Sequence, residues 1–292
     1  MMRERRPEDA EAAREISYAR SARTRAGRLF IRGVENLTGR PRLIKMALGY
    51  DEEVDRGRDF WEVMAERYRL RLVAPEDELA RIPKCGPVVV VANHPFGILD
   101  GLMLGRILSM TRGNFKIMAH KVFHKSKDLS DRILPIDFDE TREATENNLR
   151  TRKEALAYLS GGGCIGIFPG GTVSTAAKPF SHAMDPAWKT FTAKMIQRSK
   201  ATVVPLYFHG QNSRFFQIAS HAHYTLRMAL LINEFDMKVG GEAHVSIGEP
   251  VPRAEIEAFR GDPRGLMEHL RRATYQLSRR PDCEYGYGRD FG

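Results

Sequence analysis

Residues 87–101 read PVVVVANHPFGILDG, and the interpretation of the rest of the chain starts from this stretch. Its first part is a continuous β-branched run, which is typical of a strand buried on both faces of a sheet. Its second part places His94 and Asp100 just after that strand, where open α/β sheets place their ligands. The stretch therefore predicts a buried strand with a functional site at its carboxyl end.

Other apolar runs of strand length follow along the chain. They are FKIMA at 115–119, ILPIDF at 133–138, CIGIF at 164–168, TVVPLYF at 202–208 and AHVSI at 243–247. Tyr68, Leu70 and Leu72 alternate with arginines, which predicts one more strand, half-buried. Pro205 falls inside the run at 202–208 and predicts an edge strand or a bulge there.

Helical stretches separate these strands. Helices are predicted over about 101–110 and 143–160, and two more begin at Asp185-Pro186 and Asp262-Pro263, where aspartate can cap and proline can open a helix. Strands that alternate with helices of this length predict an α/β fold. We expect a mixed, largely parallel sheet flanked by helices.

Most of the net positive charge lies near the N-terminus. The 292 residues carry a formal charge of +9, and residues 20–45 hold eight basic side chains and one acidic one. Apolar residues are interleaved with them, and Gly39-Arg40-Pro41 marks a turn, so two short amphipathic helices are predicted within 25–50 and a third over 54–66. We therefore predict an N-terminal basic amphipathic helical arm, residues 1–66, and an α/β domain, residues 67–292.

Two interpretations of this arm stay open. In the first, its helices form a cap that packs on the core. In the second, they lie in a membrane interface, with the cations on lipid phosphates and the apolar side chains at the acyl boundary.

Several classes of protein are disfavoured. No apolar run approaches the length of a spanning helix, and the charged N-terminus does not resemble a secretory signal, so we expect a cytosolic or peripheral protein. Three widely spaced cysteines without a CxxC pair disfavour a disulfide scaffold or a zinc site. We expect no metal ion and no bound cofactor. The basic stretch is helical, so nucleic acid is not an expected partner.

His94 and Asp100 together suggest a general-base dyad. The aspartate would hold one imidazole nitrogen as N–H, and the other would take a proton from an attacking hydroxyl. Because no nearby serine or cysteine is an evident nucleophile, that hydroxyl would belong to the substrate. The alternative is a turn that contains a hydrogen-bonded histidine with no catalytic role.

A second candidate segment, FPGGT at 168–172, also follows a predicted buried strand. Its consecutive glycines bring backbone N–H groups close to a ligand, so Gly170 and Gly171 are expected to stabilise an oxyanion. Between the two segments, Arg142 follows another strand and could bind a phosphate or carboxylate. A surface ion pair is the alternative for Arg142.

The order of these segments resembles the PlsC-like lysophospholipid acyltransferase family. The resemblance covers about 85–252 and includes NHPFGILDG, the arginine at 142, FPGGT, VVPLYF and IGEPV. It implies that His94 is the general base and Asp100 its orienting partner. It also implies a membrane-seating pair of N-terminal helices, which favours the interfacial interpretation of the arm. The substrate-binding positions that it implies are Asn93, Arg142, Phe168, Pro169, Gly170, Gly171, Thr172 and Pro205.

The chain departs from the family pattern at two places. Five residues rather than four separate His94 and Asp100, and Gly97 is expected to absorb the additional one. Gly170 stands where the family usually has glutamate, which removes a carboxylate from the acceptor pocket. Both features are closest to the NHPFG-type subgroup that includes enzymes forming ornithine lipids, in which the acceptor is the hydroxyl of an N-(3-hydroxyacyl) amino acid.

The resemblance therefore implies transfer of a fatty acyl group to a lyso-lipid hydroxyl. The donor would be acyl carrier protein or coenzyme A as a thioester, and the partners would be the lyso-aminolipid acceptor and an anionic membrane surface. The expected location is the cytoplasmic face of the bacterial inner membrane. A lysophosphatidic acid acceptor is one alternative, and a non-catalytic basic membrane- or nucleic-acid-binding protein is another. Four lysines, at 116, 121, 125 and 127, form either a dock for an acidic carrier protein or a solvated face.

Overall fold

A seven-stranded sheet lies at the centre of the computed structural model, which describes residues 17–22, 24–120, 129–136, 141–279 and 285–291. Two further short strands form a hairpin beside it. The strands of the sheet are β1 (Arg71–Val73), β2 (Val88–Ala92), β3 (Phe115–His120), β4 (Ile133–Ile136), β5 (Cys164–Ile167), β8 (Thr202–Phe208) and β9 (Glu242–Ile247), and the hairpin pairs β6 (Thr175–Ala176) with β7 (Ala183–Met184).

The order across the sheet is β1-β9-β8-β2-β5-β3-β4. The five strands from β8 to β4 are parallel, β9 is antiparallel to β8, and β1 is parallel to β9. The predicted mixed, largely parallel sheet is confirmed. Because β2 lies between β5 and β8, the carboxyl ends of these three strands meet at one edge, where residues 93–101 and 168–172 follow β2 and β5.

Twelve α-helices flank the sheet in the described part of the chain. They are α1 (Arg25–Leu37), α2 (Arg40–Ala47), α3 (Tyr50–Asp55), α4 (Phe60–Arg67), α5 (Glu76–Leu79), α6 (Ile98–Thr111), α7 (Arg142–Ser160), α8 (Phe191–Ser199), α9 (Arg214–Ala222), α10 (Tyr224–Asp236), α11 (Arg253–Ala258) and α12 (Pro263–Tyr275). Helices α4 and α6 contribute to the hydrophobic cluster on one face of the sheet, and α7, α8 and α12 to the cluster on the other.

The side chains of β2 alternate between these two clusters. Val88, Val90 and Ala92 lie in the first, and Val89 and Val91 lie in the second. All five are completely buried. This explains why the strand has an uninterrupted apolar sequence, because neither of its faces meets solvent.

Pro205 does not mark an edge strand, so the edge alternative of that prediction is wrong. Strand β8 has β2 on one side and β9 on the other. The antiparallel pairing with β9 starts only at Leu206, and the Pro205 carbonyl accepts from Gly248 N at 2.9 Å, beyond the end of β9. Since the N and carbonyl of one strand residue face the same side, the missing N–H removes no hydrogen bond from the β8–β2 ladder.

Two helix predictions also need correction. The helix expected over 54–66 is divided into α3 and α4, because Gly57 has φ +91° and ends the first of them. Asp185 does not cap a helix, since α8 begins later, at Phe191, and the Asp185 carboxylate accepts hydrogen bonds from other segments. The cap at Asp262 is confirmed, with Oδ1 accepting from Gly265 N at 2.8 Å.

The two helices predicted within 25–50 are α1 and α2, and each has one face on the domain. Ile31 and Leu43 are completely buried, and α10 packs against both helices. The opposite side of α1 is apolar as well, with Leu29 74%, Phe30 49% and Leu37 88% exposed. Helix α1 therefore packs on the domain with one face and exposes an apolar face on its other side. The proposed domain division at residue 66 stays a prediction.

No helix within the described ranges combines the length and apolar character that crossing a bilayer would need.

Gly105 of α6 offers a test of this packing. A Cβ built there would lie 2.2 Å from ring carbons of the buried Trp61, so Gly105→Ala is expected to lower the free energy of unfolding by about 1–3 kcal/mol. Gly101→Ala in the same helix meets open space and should raise it by about 0.5–1 kcal/mol. Urea titration measures both changes. Equal stability of the two variants would contradict the packing of α6 on α4.

Candidate active site

His94 and Asp100 meet just beyond the carboxyl end of β2. His94 Nδ1 lies 3.0 Å from Asp100 Oδ2, and the His94 side chain is 18% exposed while Asp100 is completely buried. Because a carboxylate accepts hydrogen bonds, Nδ1 carries the proton and Nε2 is the basic nitrogen. The arrangement suits an aspartate that orients a general-base histidine.

Gly97 absorbs the additional residue between the two, as expected. Its φ of +94° and ψ of −106° form a conformation that other residues rarely adopt. It also stands immediately before α6, so Asp100 lies in the first turn of that helix. Asp100 Oδ2 accepts from Gly97 N at 2.9 Å and from Phe96 N at 2.8 Å.

Asp100 combines complete burial with several hydrogen bonds to one of its oxygens. Three donors converge on Oδ2, whereas Oδ1 has no hydrogen-bond partner in the described structure. Burial raises the pKa of Asp100, and the hydrogen bonds from His94 and the two backbone N–H groups oppose that rise. A buried carboxylate of this kind is stabilised when His94 takes a proton, because the imidazolium supplies the compensating charge.

Phe168 holds the imidazole ring from the second segment. Its ring stacks on that of His94 with centroids 4.1 Å apart and an interplanar angle of 22°. The Phe168 carbonyl accepts from Gly171 N at 3.0 Å, and Gly171 has φ +71°. The Gly171 N–H is therefore occupied by this turn, and its role in stabilising an oxyanion stays a prediction. Gly170 N–H has no acceptor among the described residues.

The main chain of His94 is fixed on both sides by the segment that follows this turn. Its carbonyl accepts from Ser174 N at 2.7 Å, and its N–H donates to Asp185 Oδ1 at 3.2 Å. The Ser174 hydroxyl also donates to Asp185 Oδ1. The position of the histidine therefore depends on both strands of the β6–β7 hairpin region.

Asp185 is a site residue that the sequence did not reveal. It is completely buried, and Oδ2 accepts from Trp188 Nε1 at 2.8 Å. A Cβ built on Gly170 would lie 3.4 Å from Asp185 Cβ, Cγ and Oδ2. Gly170 lacks the carboxylate that the family usually has at this position, but the carboxylate of Asp185 packs against this glycine.

Asp185→Asn tests this arrangement. The carboxylate accepts from His94 N, Ser174 Oγ and Trp188 Nε1, and an amide places an N–H₂ group against at least one of these donors. The free energy of unfolding is expected to fall by about 1–3 kcal/mol, because a buried donor loses its acceptor. Urea titration measures the loss, and Asp77→Asn, at an exposed position, is the control. Equal stability of Asp185→Asn and wild type would show that the carboxylate is not needed there.

Three other predicted positions lie apart from this cluster of contacts. Asn93 is 2% exposed, and its amide bonds to both backbone groups of Phe208, at 2.7 and 3.0 Å, so it links β2 to β8. Pro205 is buried within β8. The Arg142 side chain is 94% exposed at the start of α7 and pairs with Glu146 at 2.9 Å. This is the surface ion pair that was the alternative for Arg142, and a substrate contact for each of the three stays a prediction.

Pro169 and Thr172 lie within the second segment itself. The Pro169 carbonyl accepts from Lys189 N at 2.9 Å, which connects the segment to the region before α8. Thr172 Oγ1 accepts from Arg227 Nη2 at 3.1 Å. Arg227 belongs to α10, far along the chain, and it is a second residue near the site that no local pattern indicated.

The N-terminal arm also reaches the site. Tyr18 N and Ser17 Oγ donate to the buried Glu35 of α1, at 2.6 and 2.5 Å. The Tyr18 hydroxyl would lie 3.9 Å from a Cβ built on Gly97. Burial raises the pKa of Tyr18, so its hydroxyl stays neutral beside the dyad.

Comparison with known proteins places the chain in a family. A family model described as Acyltransferase matches residues 55–284. A lyso-glycine lipid O-acyltransferase from Phocaeicola vulgatus is 28% identical over 207 residues, covering 68% of this chain and 71% of that protein. A lyso-glycine lipid O-acyltransferase from Bacteroides thetaiotaomicron is 26% identical over 207 residues, covering 68% and 73%.

A solved structure is also similar. It is the 1-acyl-sn-glycerophosphate (LPA) acyltransferase PlsC from Thermotoga maritima, with a TM-score of 0.44 and 16% identity over 84% of this chain and 88% of that one. The matched family region, by contrast, spans most of the chain and contains both segments of the site. That extent of match shows that this chain belongs to the acyltransferase family and is an acyltransferase.

Proposed function

We propose that this acyltransferase transfers a fatty acyl group from an acyl thioester to the hydroxyl of a lyso-lipid, with a lyso-aminolipid as its acceptor. The observation that carries the proposal is the His94–Asp100 pair, 3.0 Å apart, with Nε2 left as a base. Ser174, whose N–H bonds to the His94 carbonyl, donates its hydroxyl to Asp185. The hydroxyl that His94 activates is therefore assigned to the substrate. The alternative of a non-catalytic binding protein is wrong, since the family is enzymatic.

The reaction follows from this assignment. His94 Nε2 takes the proton of the acceptor hydroxyl as that oxygen attacks the thioester carbonyl, which forms a C–O bond and a tetrahedral oxyanion. The oxyanion collapses, the C–S bond breaks, and the leaving thiolate takes the proton from His94. Ester and free thiol are the products, and the histidine returns to its starting state.

The negative charge of the tetrahedral intermediate lies on the former thioester carbonyl oxygen, which needs a hydrogen-bond donor beside it. The Gly170 N–H is suited to this role. Gly170 lies two residues after Phe168, which stacks on His94, and its N–H has no acceptor within the described residues. A preorganised backbone donor of this kind contributes about 10²–10³ in rate.

The nature of the acceptor is supported by the two relatives named for lyso-glycine lipid. We propose an N-(3-hydroxyacyl) amino acid as acceptor, with glycine as the first head group to test and ornithine as the second. The donor thioester, on acyl carrier protein or coenzyme A, comes from the cytosol, which supports a site of action on the cytoplasmic face of the bacterial inner membrane.

The proposed carrier dock is only partly described. Lys116 Nζ pairs with Glu154 at 2.7 Å, and lysines 121, 125 and 127 lie outside the described residues. The choice between carrier protein and coenzyme A therefore rests on the assay.

Thioester turnover by the purified protein tests the function. Each donor is combined with N-(3-hydroxyacyl)glycine, its ornithine counterpart and lysophosphatidic acid, and free thiol and ester product are both measured. The proposal expects ester formation on an amino-acid acceptor. Ester formed on lysophosphatidic acid alone would replace it with the phospholipid alternative, and thiol release without any ester would contradict both.

The outward face of α1 supports contact with an anionic membrane. Leu29 and Leu37 are 74% and 88% exposed, and the cations Arg25 and Arg28 stand exposed on the same helix. Apolar side chains at the acyl boundary and cations at the phosphates are the arrangement of an interfacial helix.

Replacement of both leucines by glutamate is expected to weaken binding to phosphatidylglycerol vesicles at least ~10-fold, because two apolar side chains no longer enter the interface. Vesicle sedimentation measures the binding. Leu149→Glu, on the 52% exposed Leu149 of α7, is the matched control and should bind normally. Unchanged sedimentation of the double variant would show that α1 does not contact the lipid.

A further inference from the structure

Arg227 of α10 is a buried cation held by neutral groups. It is 2% exposed, and its guanidinium donates to the carbonyl of Val173 at 2.8 Å. It also donates to three hydroxyl oxygens, those of Thr175 at 2.6 Å, Thr172 at 3.1 Å and Ser220 at 3.2 Å. All of these contacts except Ser220 lie on the segment that leads from the second site segment into β6.

The charge of Arg227 has no anionic partner in the described part of the chain. Besides the hydroxyls, its guanidinium lies over the rings of Phe216 and Phe291, at 5.0 and 4.3 Å, and Arg289 lies over the same Phe291 ring at 5.4 Å. Burial lowers the pKa of Arg227 to about 10, so it remains a cation at neutral pH. A buried and uncompensated positive charge is costly unless an anion offsets it.

This charge stands beside the catalytic pair. Val173, whose carbonyl Arg227 holds, would contact a Cβ built on Gly97 at 3.3 Å. The next residue, Ser174, donates its N–H to the His94 carbonyl at 2.7 Å. An anion bound next to Arg227 would therefore lie close to the hydroxyl that His94 activates.

Thr172 is the group through which the charge can reach a ligand. Its Oγ1 accepts from Arg227, so its own hydroxyl hydrogen is left to donate, and among the described residues it has no acceptor. Thr172 is also half-buried, unlike the completely enclosed Thr175. A hydroxyl polarised by a guanidinium is a strong donor to an oxyanion.

Thr172 is one of the acceptor-binding positions that the family resemblance implies. We infer that Arg227 determines specificity for an anionic head group at this position, acting through Thr172. The inference rests on the proposed function and assigns the carboxylate of a lyso-aminolipid to this position. Arg142, the arginine that the family resemblance favours, is exposed and ion-paired. Arg227 is buried and forms no ion pair with a carboxylate among the described residues, as expected of a residue whose charge is offset when an anionic ligand binds.

The test is a selectivity ratio. Acylation of N-(3-hydroxyacyl)glycine is compared with that of the corresponding neutral glycinamide, and equilibrium binding of both compounds is measured alongside. The variants are Thr172→Val, which removes only the hydroxyl, and Arg227→Gln, with Arg227→Lys to restore the charge. Arg260→Gln, at an exposed position on the same domain, controls for loss of a positive charge.

Wild type is expected to prefer the carboxylate, and Thr172→Val and Arg227→Gln should each lower that preference about 10–100-fold. The loss should fall on KM for the carboxylate acceptor and should exceed the loss on the glycinamide by that factor. Arg227→Lys should recover part of the preference. Thr172→Val is the smaller change and is informative even where Arg227→Gln does not fold.

Equal losses on both acceptors would overturn the inference, because a residue that only holds the segment in place affects them alike. Loss of preference in Arg142→Gln, with Thr172→Val unchanged, would also overturn it. If wild type acylates lysophosphatidic acid and no amino-acid acceptor, the proposed function fails separately. The same ratio between lysophosphatidic acid and neutral monoacylglycerol then decides whether Thr172 and Arg227 recognise the anion.

Discussion

Replacement of His94 by alanine is expected to lower kcat by about 10²–10⁴, because the acceptor hydroxyl loses its general base. The fold should survive, since His94 is stacked on Phe168 at the rim of the site and its main-chain bonds to Ser174 and Asp185 remain. Release of free thiol from the acyl thioester in the presence of acceptor measures the rate. Thermal unfolding measures the fold.

His269→Ala is the matched control. His269 pairs with Glu255 at 3.0 Å through Nε2 and is 30% exposed, so it resembles His94 in having a carboxylate partner but lies on α12. Its loss should leave kcat unchanged. A His94→Ala protein that retains the wild-type rate would end the mechanism, whatever its stability.

Asp100→Asn is the second change with a large expected effect. The amide oxygen can keep the position of Oδ2 and its three donors, so the change removes the negative charge of Asp100 rather than the contact. A neutral amide no longer stabilises the imidazolium that forms when His94 takes the proton, and its N–H₂ group replaces the buried, unpartnered Oδ1. A loss of about 10²–10⁴ in kcat is expected.

The double variant tests whether Asp100 acts only through His94. If Asp100 acts only through His94, then His94→Ala combined with Asp100→Asn should be no slower than His94→Ala alone. Independent, multiplying losses would assign Asp100 a role beyond the histidine. A normal rate in Asp100→Asn alone would show that the negative charge of Asp100 is not used in catalysis.

The parts of this enzyme that depend on neighbouring residues were predicted from the sequence. The run at 88–92 indicated a strand buried on both faces, and its valines divide between two clusters. His94, Gly97 and Asp100 lie within one short stretch, so their chemistry and the need for a glycine could be inferred from spacing. Helix α12 was predicted from its N-cap, Asp262, and from its first residue, Pro263.

The parts that depend on distant residues were not predicted. Asp185 holds His94 across 91 residues of sequence, and Arg227 holds Thr172 across 55. Asp185-Pro186 had the pattern of a helix start, but hydrogen bonds to His94, Ser174 and Trp188 use its carboxylate instead. Pro205 was expected at an edge or a bulge because its missing N–H is visible in the sequence, whereas the end of β9 beside it is not.

Periodicity and spacing therefore determined the fold class, the order of most elements and the pairing of His94 with Asp100, since each depends on side chains a few positions apart. Tertiary structure alone decided which residues hold that pair and which cation stands beside it. The physical reason is that a buried carboxylate or guanidinium must find its partners wherever the folded chain brings donors and acceptors together. That requirement leaves no trace in the residues on either side of Asp185 or Arg227.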